Sequence, residues 1–191
     1  MINIVLFGKP GSGKGTQAKF LMEKYDLIHI ATGDIFRGID KETPLGKEVC
    51  SYIDNGGLVP DELTLKVLFD EVSKHKNPNG ILYDGFPRTI EQAKSLDKYL
   101  LSIGSSVNAT IQIEADDDIL VERILERGKT SNRVDDQEEV RIRNRYVEYN
   151  EKTSPLIGYY STQNKLHTVE GIGDIKVVTE RLSNVIEKLY Y

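Results

Sequence analysis

A glycine-rich segment near the start of the chain has the composition of a phosphate-binding loop. Residues 8–17 read Gly-Lys-Pro-Gly-Ser-Gly-Lys-Gly-Thr-Gln. Glycines let consecutive backbone amides point at a polyphosphate, the N-terminus of a following helix adds its dipole, and the Lys14 ammonium supplies charge. The Thr16 hydroxyl is a candidate ligand of Mg²⁺. A glycine-rich turn could hold a lysine by chance, but the β-rich run before this segment and the helical pattern after it favour a nucleotide phosphate site.

A second group of candidate residues follows a short apolar run at residues 81–83. Asp84 ends this run, and a carboxylate at the end of a parallel strand faces the ligand crevice of the sheet. It can hold the water shell of Mg²⁺; the plainer alternative is a cap on the next turn. Gly85 lets a ligand approach the backbone, and Arg88 offers a planar fork for a phosphate. Gln92 lies one helical turn beyond Arg88, so both side chains can face one cleft.

Most of the nine arginines of the chain lie between residues 123 and 145. Arg123 and Arg127 project from one face of a predicted helix, where converging guanidiniums can neutralise the charge of a transferring phosphoryl group. The alternative is an exposed helix on which Glu122 and Glu126 pair with these arginines.

The next predicted helix carries acidic and basic residues at the spacing of surface ion pairs. Glu138 and Glu139 precede Arg141 and Arg143 by three and four residues, which predicts two exposed pairs. Arg145 is therefore assigned to phosphate.

The elements that must position these residues alternate between strand and helix. The β-rich runs lie at residues 2–7, 81–83, 107–113 and 166–169, and helical apolar spacing follows them, as at Leu65, Leu68, Phe69 and Val72. This alternation predicts a parallel sheet covered on both faces. A closing helix is predicted from Asp174, with these residues facing inward: Ile175, Val178, Leu182, Val185, Ile186 and Leu189.

Two segments depart from this alternation. Residues 32–59 have a helical pattern that is broken at residues 43–44 and 55–57 and contains no strand, which predicts an inserted helical subdomain. Three aspartates at residues 116–118 could suggest a metal cluster. They precede an apolar-periodic helix, however, so the favoured interpretation is a helix start where carboxylates cap amides and complement the dipole.

Composition limits the classes of function. The 191 residues are 39% apolar and 29% charged with a net charge of −5, which argues against a nucleic-acid or anionic-membrane surface. Cys50 is the only cysteine, so no intrachain disulfide and no four-cysteine zinc site can form. No apolar run approaches 18 residues, and the first residues lack the features of an export signal. We therefore expect a cytoplasmic location. His29, His75 and His167 share no ligand spacing and are expected to be structural.

The glycine-rich loop resembles that of the adenylate kinase family of nucleoside monophosphate kinases. In both, a glycine follows the lysine and the hydroxyl comes one residue later than in the general phosphate-loop pattern. Further segments are similar to motifs of that family and occur in its order: residues 31–37, 57–61, 84–89 with Gln92, Arg123 with Arg127, and 133–136. The resemblance spans essentially the whole chain. Lys9 departs from it, since the family usually has a small or apolar residue there.

The resemblance implies an α/β fold of the P-loop NTPase type, with three layers, a five-stranded parallel sheet, a helical NMP-binding insert and a short lid. It implies these boundaries within a single domain 1–191: core at 1–30, 60–122 and 137–191, insert at 31–59 and lid at 123–136. The five residues 128–132 leave no room for the long lid of some adenylate kinases. With a single cysteine, that lid's zinc form is excluded, and no structural zinc is expected.

The implied activity is reversible phosphoryl transfer from MgATP to AMP, giving two ADP, which serves adenine nucleotide homeostasis. The resemblance assigns catalytic roles to Lys14, Asp84, Arg88, Arg123, Arg133 and Arg145. It assigns ATP binding to Gly11, Ser12, Gly13, Lys14, Gly15, Thr16, Arg123, Arg127 and Gly173. AMP binding falls to Thr32, Arg37, Gly57, Val59, Gly85, Arg88, Gln92, Arg133 and Arg145. Mg²⁺ would be held by Thr16 and Asp84, through water. One choice stays open, because counting back from residues 153–155 selects Arg145, whereas counting forward from residues 135–136 lands nearer Arg143.

Three other functions share parts of this pattern. A UMP/CMP kinase shares the loop and the arginines, but it has alanine where Thr32 stands and asparagine where Thr89 stands. A GTPase switch also has a phosphate loop, but the chain contains no Asn-Lys-x-Asp guanine motif. A catalytically inactive nucleotide-binding protein would not need to retain Lys14, Asp84 and the arginines. The expected partners are the small-molecule nucleotides ATP, AMP and ADP, with no nucleic acid and no membrane, bound by a monomer.

Overall fold

One parallel sheet of five strands organises the computed structural model, which describes residues 1–76, 78–131 and 133–190. The strands are β1 (Ile2–Phe7), β2 (Leu27–Ala31), β3 (Gly80–Asp84), β4 (Ala109–Glu114) and β5 (Leu166–Glu170), in the order β2-β3-β1-β4-β5. The helices are α1 (Lys14–Tyr25), α2 (Thr32–Arg37), α3 (Pro44–Ile53), α4 (Asp61–Ser73), α5 (Ile90–Ser102), α6 (Asp117–Thr130), α7 (Glu139–Glu148), α8 (Pro155–Ser161) and α9 (Ile175–Glu187). A 3₁₀ turn spans Val134–Asp136 and a π-helical turn spans Tyr149–Thr153. The predicted α/β fold with a five-stranded parallel sheet is confirmed.

Side chains of the sheet are buried on both faces, as the apolar strands predict. On β1, Val5 and Phe7 pack in a cluster with residues of α4, α5 and α8. Ile4 and Leu6 point the other way and pack with residues of α1 and α9. Helices therefore cover both faces of the sheet and hold its central strand in place.

The positions of the strands differ in detail from the sequence prediction. The pattern missed β2, whose five residues interleave His29 with apolar side chains. The predicted run 107–113 begins as a strand only at Ala109. In α9, Val178, Leu182 and Ile186 are buried as expected. Ile175 was predicted to face inward and is 49% exposed, because it is the first residue of the helix and lies at the rim of the core.

The predicted insert is helical, and it has a small core of its own. The Thr43 hydroxyl caps α3 by accepting a hydrogen bond from the Gly46 amide, and Pro44 occupies the first turn. Phe36, Val49 and Val59 are buried together. Leu63 and Val67 of α4 pack against this cluster, so α4 anchors the insert just beyond its predicted end at residue 59.

The predicted lid, residues 123–136, starts within α6 and ends with the 3₁₀ turn. Its residue Asn132 lies outside the described residues. Asp116 is the N-cap of α6, and Asp117 and Asp118 lie in its first turn, as expected of a helix start. The expected side-chain cap is not formed, because the Asp116 side chain accepts no capping hydrogen bond. In the described part of the chain, no helix is long and apolar enough to cross a membrane.

Topology brings two candidate segments to one edge of the sheet. β1 and β3 are parallel neighbours, with Leu6 opposite Asp84. The glycine-rich loop that leaves β1 therefore starts beside the carboxylate that ends β3. This arrangement at the carboxyl ends of neighbouring strands is where parallel sheets bind ligands.

Candidate active site

The glycine-rich loop joins β1 directly to α1 and turns through conformations that only glycine adopts freely. Gly11 and Gly13 have φ angles of 85° and 92°. A Cβ added to Gly11 would also lie 2.6 Å from the carbonyl oxygen of Leu120, so a larger residue would displace α6. The loop therefore leads into the first turn of α1 with its backbone close to α6, the helix that carries Arg123 and Arg127.

The loop itself holds Lys14, and little negative charge lies near the Lys14 ammonium. Its ammonium donates hydrogen bonds to the carbonyl oxygens of Gly8 at 2.8 Å and Lys9 at 3.2 Å. Burial lowers the pKa of Lys14 to about 8, with Arg88 and Arg145 adding repulsion that Asp84 offsets in part. A polyphosphate would provide the missing negative charge.

Asp84 extends from the end of β3 toward the start of α1. A Cβ on Gly15 would lie 3.6 Å from Asp84 Oδ2, which places this carboxylate against the turn that contains Thr16. His29 Nε2 lies 3.3 Å from the same oxygen. The sequence analysis missed this contact, and only the position of β2 could have revealed it, because Ala31 pairs with Asp84 and His29 shares its face of the strand.

Oxygen donors on one side of the loop suit a hard cation such as Mg²⁺. Asp84 and Thr16 supply a carboxylate and a hydroxyl, and the phosphates of a nucleotide would supply further oxygens. In the described residues, no group of three or more His, Cys, Asp or Glu side chains could hold a metal ion. The carboxylate of Asp84 and the hydroxyl of Thr16 fit a cation for which phosphate oxygens would supply the other ligands.

A cluster of two carboxylates organises the arginines of α6 and α7. Arg127 makes a bidentate pair with Asp136, with both distances 2.7 Å. Arg145 contacts Asp136 at 2.7 Å and Asp135 at 3.0 Å. Burial alone would raise the pKa of Asp136, but the hydrogen-bonded guanidiniums of Arg127 and Arg145 lower it below its ordinary value. These arginines are thus preorganised and charge-compensated in the absence of nucleotide.

Two further arginines connect separate parts of the cleft. Arg123 donates to the carbonyl oxygen of Gly171, in the loop that follows β5 and also contains Gly173. Arg133 of the predicted lid lies 3.2 Å from Asp34 of α2. Arg37 pairs with the same carboxylate at 3.2 Å. Burial and the charges of Arg37 and Arg127 lower the pKa of Arg133.

The three arginines of α7 fall into two groups, as their spacing predicts: two pair with glutamates near the start of the helix, and one does not. Arg141 pairs with Glu138, and Arg143 pairs with Glu139 while 74% of its side chain stays exposed. Arg145 is 16% exposed and lines the pocket described next, whereas Arg143 does not line it. The alternative for α6 was that Glu126 would pair with one of its arginines. Glu126 instead pairs with Lys129.

A pocket opens between the insert and the end of β3. It is lined by all but one of the residues assigned to AMP: Thr32, Arg37, Gly57, Val59, Gly85, Arg88, Gln92 and Arg145. Arg133 does not line it. Sequence reasoning did not find the apolar wall formed by Phe36, Ile53 and Leu58. An apolar wall facing a few polar groups is typical of a site for a small molecule.

Arg88 and Arg37 add positive charge to the lining of this pocket. Arg88 Nε donates to the carbonyl oxygen of Gly85 at 2.7 Å, and the Thr32 hydroxyl donates to the same oxygen at 3.0 Å. Burial, with repulsion from Arg145, lowers the pKa of Arg88 to about 10. Arg37 Nε is buried without a hydrogen-bond partner in the described part of the structure. Such a donor is costly unless a ligand satisfies it.

Gln92 is 2% exposed and lines the pocket, but its amide is already engaged. Its Oε1 accepts from the Arg88 backbone amide at 2.8 Å, and its Nε2 donates to Asp61 at 2.7 Å. The sequence predicted a base-reading amide and did not anticipate that two protein groups hold it.

Lys9, the residue that departs from the family pattern, does not point into the pocket lining. Its ammonium lies 2.6 Å from Asp117 at the start of α6 and 6.0 Å from the centre of the Tyr146 ring in α7. The side chain therefore connects the loop to both helices that flank the predicted lid.

Comparisons with known proteins agree with this geometry. Residues 6–165 match the family described as adenylate kinase. The adenylate kinase of Flavobacterium johnsoniae is 63% identical over 190 residues, covering 99% of this chain and 100% of that protein. The adenylate kinase of Bacteroides thetaiotaomicron is 43% identical over 190 residues, with coverage of 99% and 100%. That of Clostridium tetani is 39% identical over 213 residues, with coverage of 97% and 98%. The chain belongs to the adenylate kinase family.

Proposed function

We propose that this enzyme transfers the terminal phosphoryl group of MgATP reversibly to AMP, giving two ADP, with the glycine-rich loop as donor site and the pocket as acceptor site. The observation that carries the proposal is geometric. Gly85 lines the pocket and directly follows Asp84, and a Cβ added to Gly15 of the loop would lie 3.6 Å from Asp84 Oδ2. Arg88 and Arg145, which also line the pocket, lower the pKa of Lys14. The loop and the pocket therefore open on one cleft, which direct transfer between two nucleotides requires.

The donor nucleotide is proposed to lie along the loop and α6. Backbone amides of residues 11–16 and the Lys14 ammonium would bind the ATP phosphates. Arg123, Arg127 and Gly173 would complete this site from α6 and the loop after β5. Arg123 already contacts that loop through the Gly171 carbonyl, which supports a shared role.

Magnesium is proposed to be held by Thr16 and Asp84 through water. Bound Mg²⁺ would neutralise phosphate charge during transfer. In the free protein, the negative charge of Asp84 favours the protonated form of Lys14.

The acceptor is proposed to enter the pocket with its phosphate toward the cleft. Arg37 and Arg88 would bind the AMP phosphate, and the orphaned Nε of Arg37 supports that role. The base would lie among these residues: Thr32, Gly57, Val59, Gly85 and Gln92. Arg133 and Arg145 would then neutralise the transferring group.

No side chain is needed as a general base. The phosphate of AMP has a second pKa of about 6 and is largely dianionic at neutral pH, so it attacks without deprotonation. The protein's task is to align the two phosphates, neutralise charge and exclude water. We propose that the insert, residues 31–59, and the lid, residues 123–136, close over the nucleotides, because an open site would transfer the phosphoryl group to water.

The test is ADP formation from MgATP with AMP, CMP, UMP or GMP as acceptor, with ATP alone as the blank. AMP should be the best acceptor by a wide margin, and chelation of Mg²⁺ should abolish turnover reversibly. A preference for UMP or CMP would instead favour a pyrimidine nucleotide kinase. ATP binding without ADP formation from any acceptor would make the chain an inactive binding protein. Activity that stays with the monomer peak in size-exclusion chromatography would support the proposed monomer.

A further inference from the structure

Two hydrogen bonds connect the start of α4 to the start of α5 beside the pocket, and two more lie within the start of α5. Asp61, the first residue of α4, accepts from Gln92 Nε2 at 2.7 Å through one oxygen and from the Thr89 hydroxyl at 2.8 Å through the other. The Thr89 hydroxyl also caps α5 by accepting from the Gln92 amide at 3.1 Å. Gln92 Oε1 accepts from the Arg88 amide at 2.8 Å. The side-chain amide of Gln92 is therefore held at both ends.

The chemistry of the two holding groups allows only one orientation of that amide. A backbone N–H can only donate, so it requires Oε1, and a carboxylate can only accept, so it requires Nε2. A flipped amide would place its NH₂ group against the Arg88 N–H and its oxygen against the Asp61 carboxylate. Both contacts would be repulsive, and because Gln92 is buried, solvent could not relieve them.

At each end, the fixed amide still has one hydrogen-bonding position that a ligand can use. A side-chain amide has two acceptor positions on Oε1 and two hydrogens on Nε2, and the protein uses one of each. What remains is one acceptor and one donor, in an order that the protein sets. Adenine offers the complementary pair, since its ring nitrogen N1 accepts and its neighbouring amino group donates.

Guanine presents the opposite order along the same edge. Its N1–H donates and its neighbouring O6 accepts, although guanine is a purine of nearly the same size as adenine. A pocket shape that admits one purine therefore discriminates poorly against the other, whereas an amide of fixed orientation can. A site whose buried polar groups would be mispaired by the wrong base rejects that base strongly.

We propose that Asp61 is a specificity-determining positioning residue, which fixes the Gln92 amide so that the acceptor pocket selects adenine over guanine nucleotides. The inference rests on the proposed function, because it assumes that the pocket binds the acceptor base. Asp61 acts through Gln92 and does not itself line the pocket. Of the two groups that hold the amide, Asp61 is the one that side-chain substitution can remove.

The experiment measures the ratio of kcat/KM for AMP to kcat/KM for GMP, with MgATP as donor. Both values come from the same preparation, so the ratio is independent of the fraction of correctly folded enzyme. Asp61→Ala should lower this ratio at least fivefold, because a flipped amide then loses the Arg88 hydrogen bond but no longer faces a carboxylate. The KM for ATP should stay within about twofold of the wild type.

Two further variants separate positioning from charge and from helix stability. In Asp61→Asn, the new oxygen accepts from Gln92 Nε2 and the new NH₂ donates to the Thr89 oxygen, so the ratio should stay within threefold of the wild type. Glu62→Gln removes a neighbouring carboxylate from the same first turn of α4, where Glu62 is exposed, and should leave the ratio unchanged. A purely structural role of Asp61 would lower AMP and GMP activity equally.

The decisive comparison is made in the Gln92→Leu background. That variant should lose roughly 5- to 150-fold in AMP kcat/KM, since it leaves polar base groups buried and unpaired. Adding Asp61→Ala should then change the AMP to GMP ratio no further, because residues that act as one unit are not additive. An unchanged ratio in Asp61→Ala, or the same drop with and without Gln92, would overturn the inference while AMP phosphorylation by the wild type still supports the function. A wild type that does not phosphorylate AMP would overturn the function itself.

Discussion

The glycine-rich loop and the acidic cluster around Asp136 both contribute positive charge to one cleft, but they treat that charge in opposite ways. Lys14 is held by carbonyl oxygens, and burial depresses its pKa to about 8. Arg127 and Arg145 share a carboxylate whose side chain is fully buried, and that carboxylate is kept ionised. The charge of the loop is only partly compensated, whereas the charge of the cluster is paired.

The difference indicates that the two regions affect the folding free energy of the protein in opposite directions. A buried ammonium with little compensation costs folding free energy, and bound phosphates would recover it. Paired arginines stabilise the free protein but must exchange or share their carboxylates when phosphates arrive. Removing charge from the loop should therefore stabilise the free enzyme, and removing it from the cluster should destabilise it.

The largest effect is expected for Lys14→Met. Turnover should fall at least 100-fold, because the loop keeps its amides but loses the charge that meets the transferring phosphate. The nucleotide-free variant should gain on the order of 1–2 kcal/mol at pH 7, after allowance for partial solvent access. Between pH 8 and 10.5 the unfolded chain binds more protons at Lys14 than the folded chain, so the wild type gains stability with pH and the difference narrows. Normal turnover, or a lower melting temperature at pH 7, would contradict this account of the loop.

Arg145→Ala should show the opposite sign in stability and a smaller loss of activity. The kcat/KM for AMP should fall roughly 30-fold, the value of about 2 kcal/mol for a charged hydrogen bond. The melting temperature should also fall, because Asp136 keeps only Arg127 as a partner. The matched control is Arg143→Ala, which removes an exposed surface pair and should alter both quantities little. Equal losses in the two variants would show that the cleft does not distinguish these arginines.

Sequence alone predicted the parts of this site that are local along the chain. The loop between β1 and α1 is a local pattern, and so are the surface pairs of Arg141 and Arg143. The partners of Arg127 and Gln92 were not predicted. Arg127 meets Asp136 nine residues away, in the 3₁₀ turn Val134–Asp136. Gln92 meets Asp61 31 residues away, and only the packing of two helix starts brings them together.

The fold shows the same limit. The runs that contain β1, β3, β4 and β5 were located, whereas β2 was missed although His29 is the one polar residue among its five. That histidine contacts Asp84 at the end of the neighbouring strand β3. A polar residue at this position therefore reflects a tertiary contact that hydrophobic periodicity does not encode. The five-strand count came from the family resemblance, and the structure confirmed it.

The charge state of Lys14 also predicts a pH dependence that separates the free enzyme from the nucleotide complex. As pH rises through about 8, the free enzyme loses the Lys14 charge, so kcat/KM for ATP should fall about tenfold by pH 9. Bound phosphates favour the charged form, so kcat should hold to higher pH. Lys14→Arg, although slower, should show no such fall below pH 10. Parallel declines of kcat and kcat/KM near pH 8 would assign the titration to another group.

The smallest effect is expected for Lys9→Ala, five positions before Lys14 in the same loop. Lys9 pairs with Asp117, and the two side chains are 28% and 55% exposed. An exposed pair contributes about 1 kcal/mol or less and weakens with salt. We therefore expect kcat and the KM for ATP to change by less than about threefold, with a slightly lower melting temperature at low salt only. Asp117→Asn should give the same shift, and the double variant should add nothing to it, because each change breaks the same contact. A tenfold loss in kcat/KM for ATP in Lys9→Ala, with Asp117→Asn unaffected, would show that Lys9 contacts the bound phosphates, and the loop would then have two functional lysines.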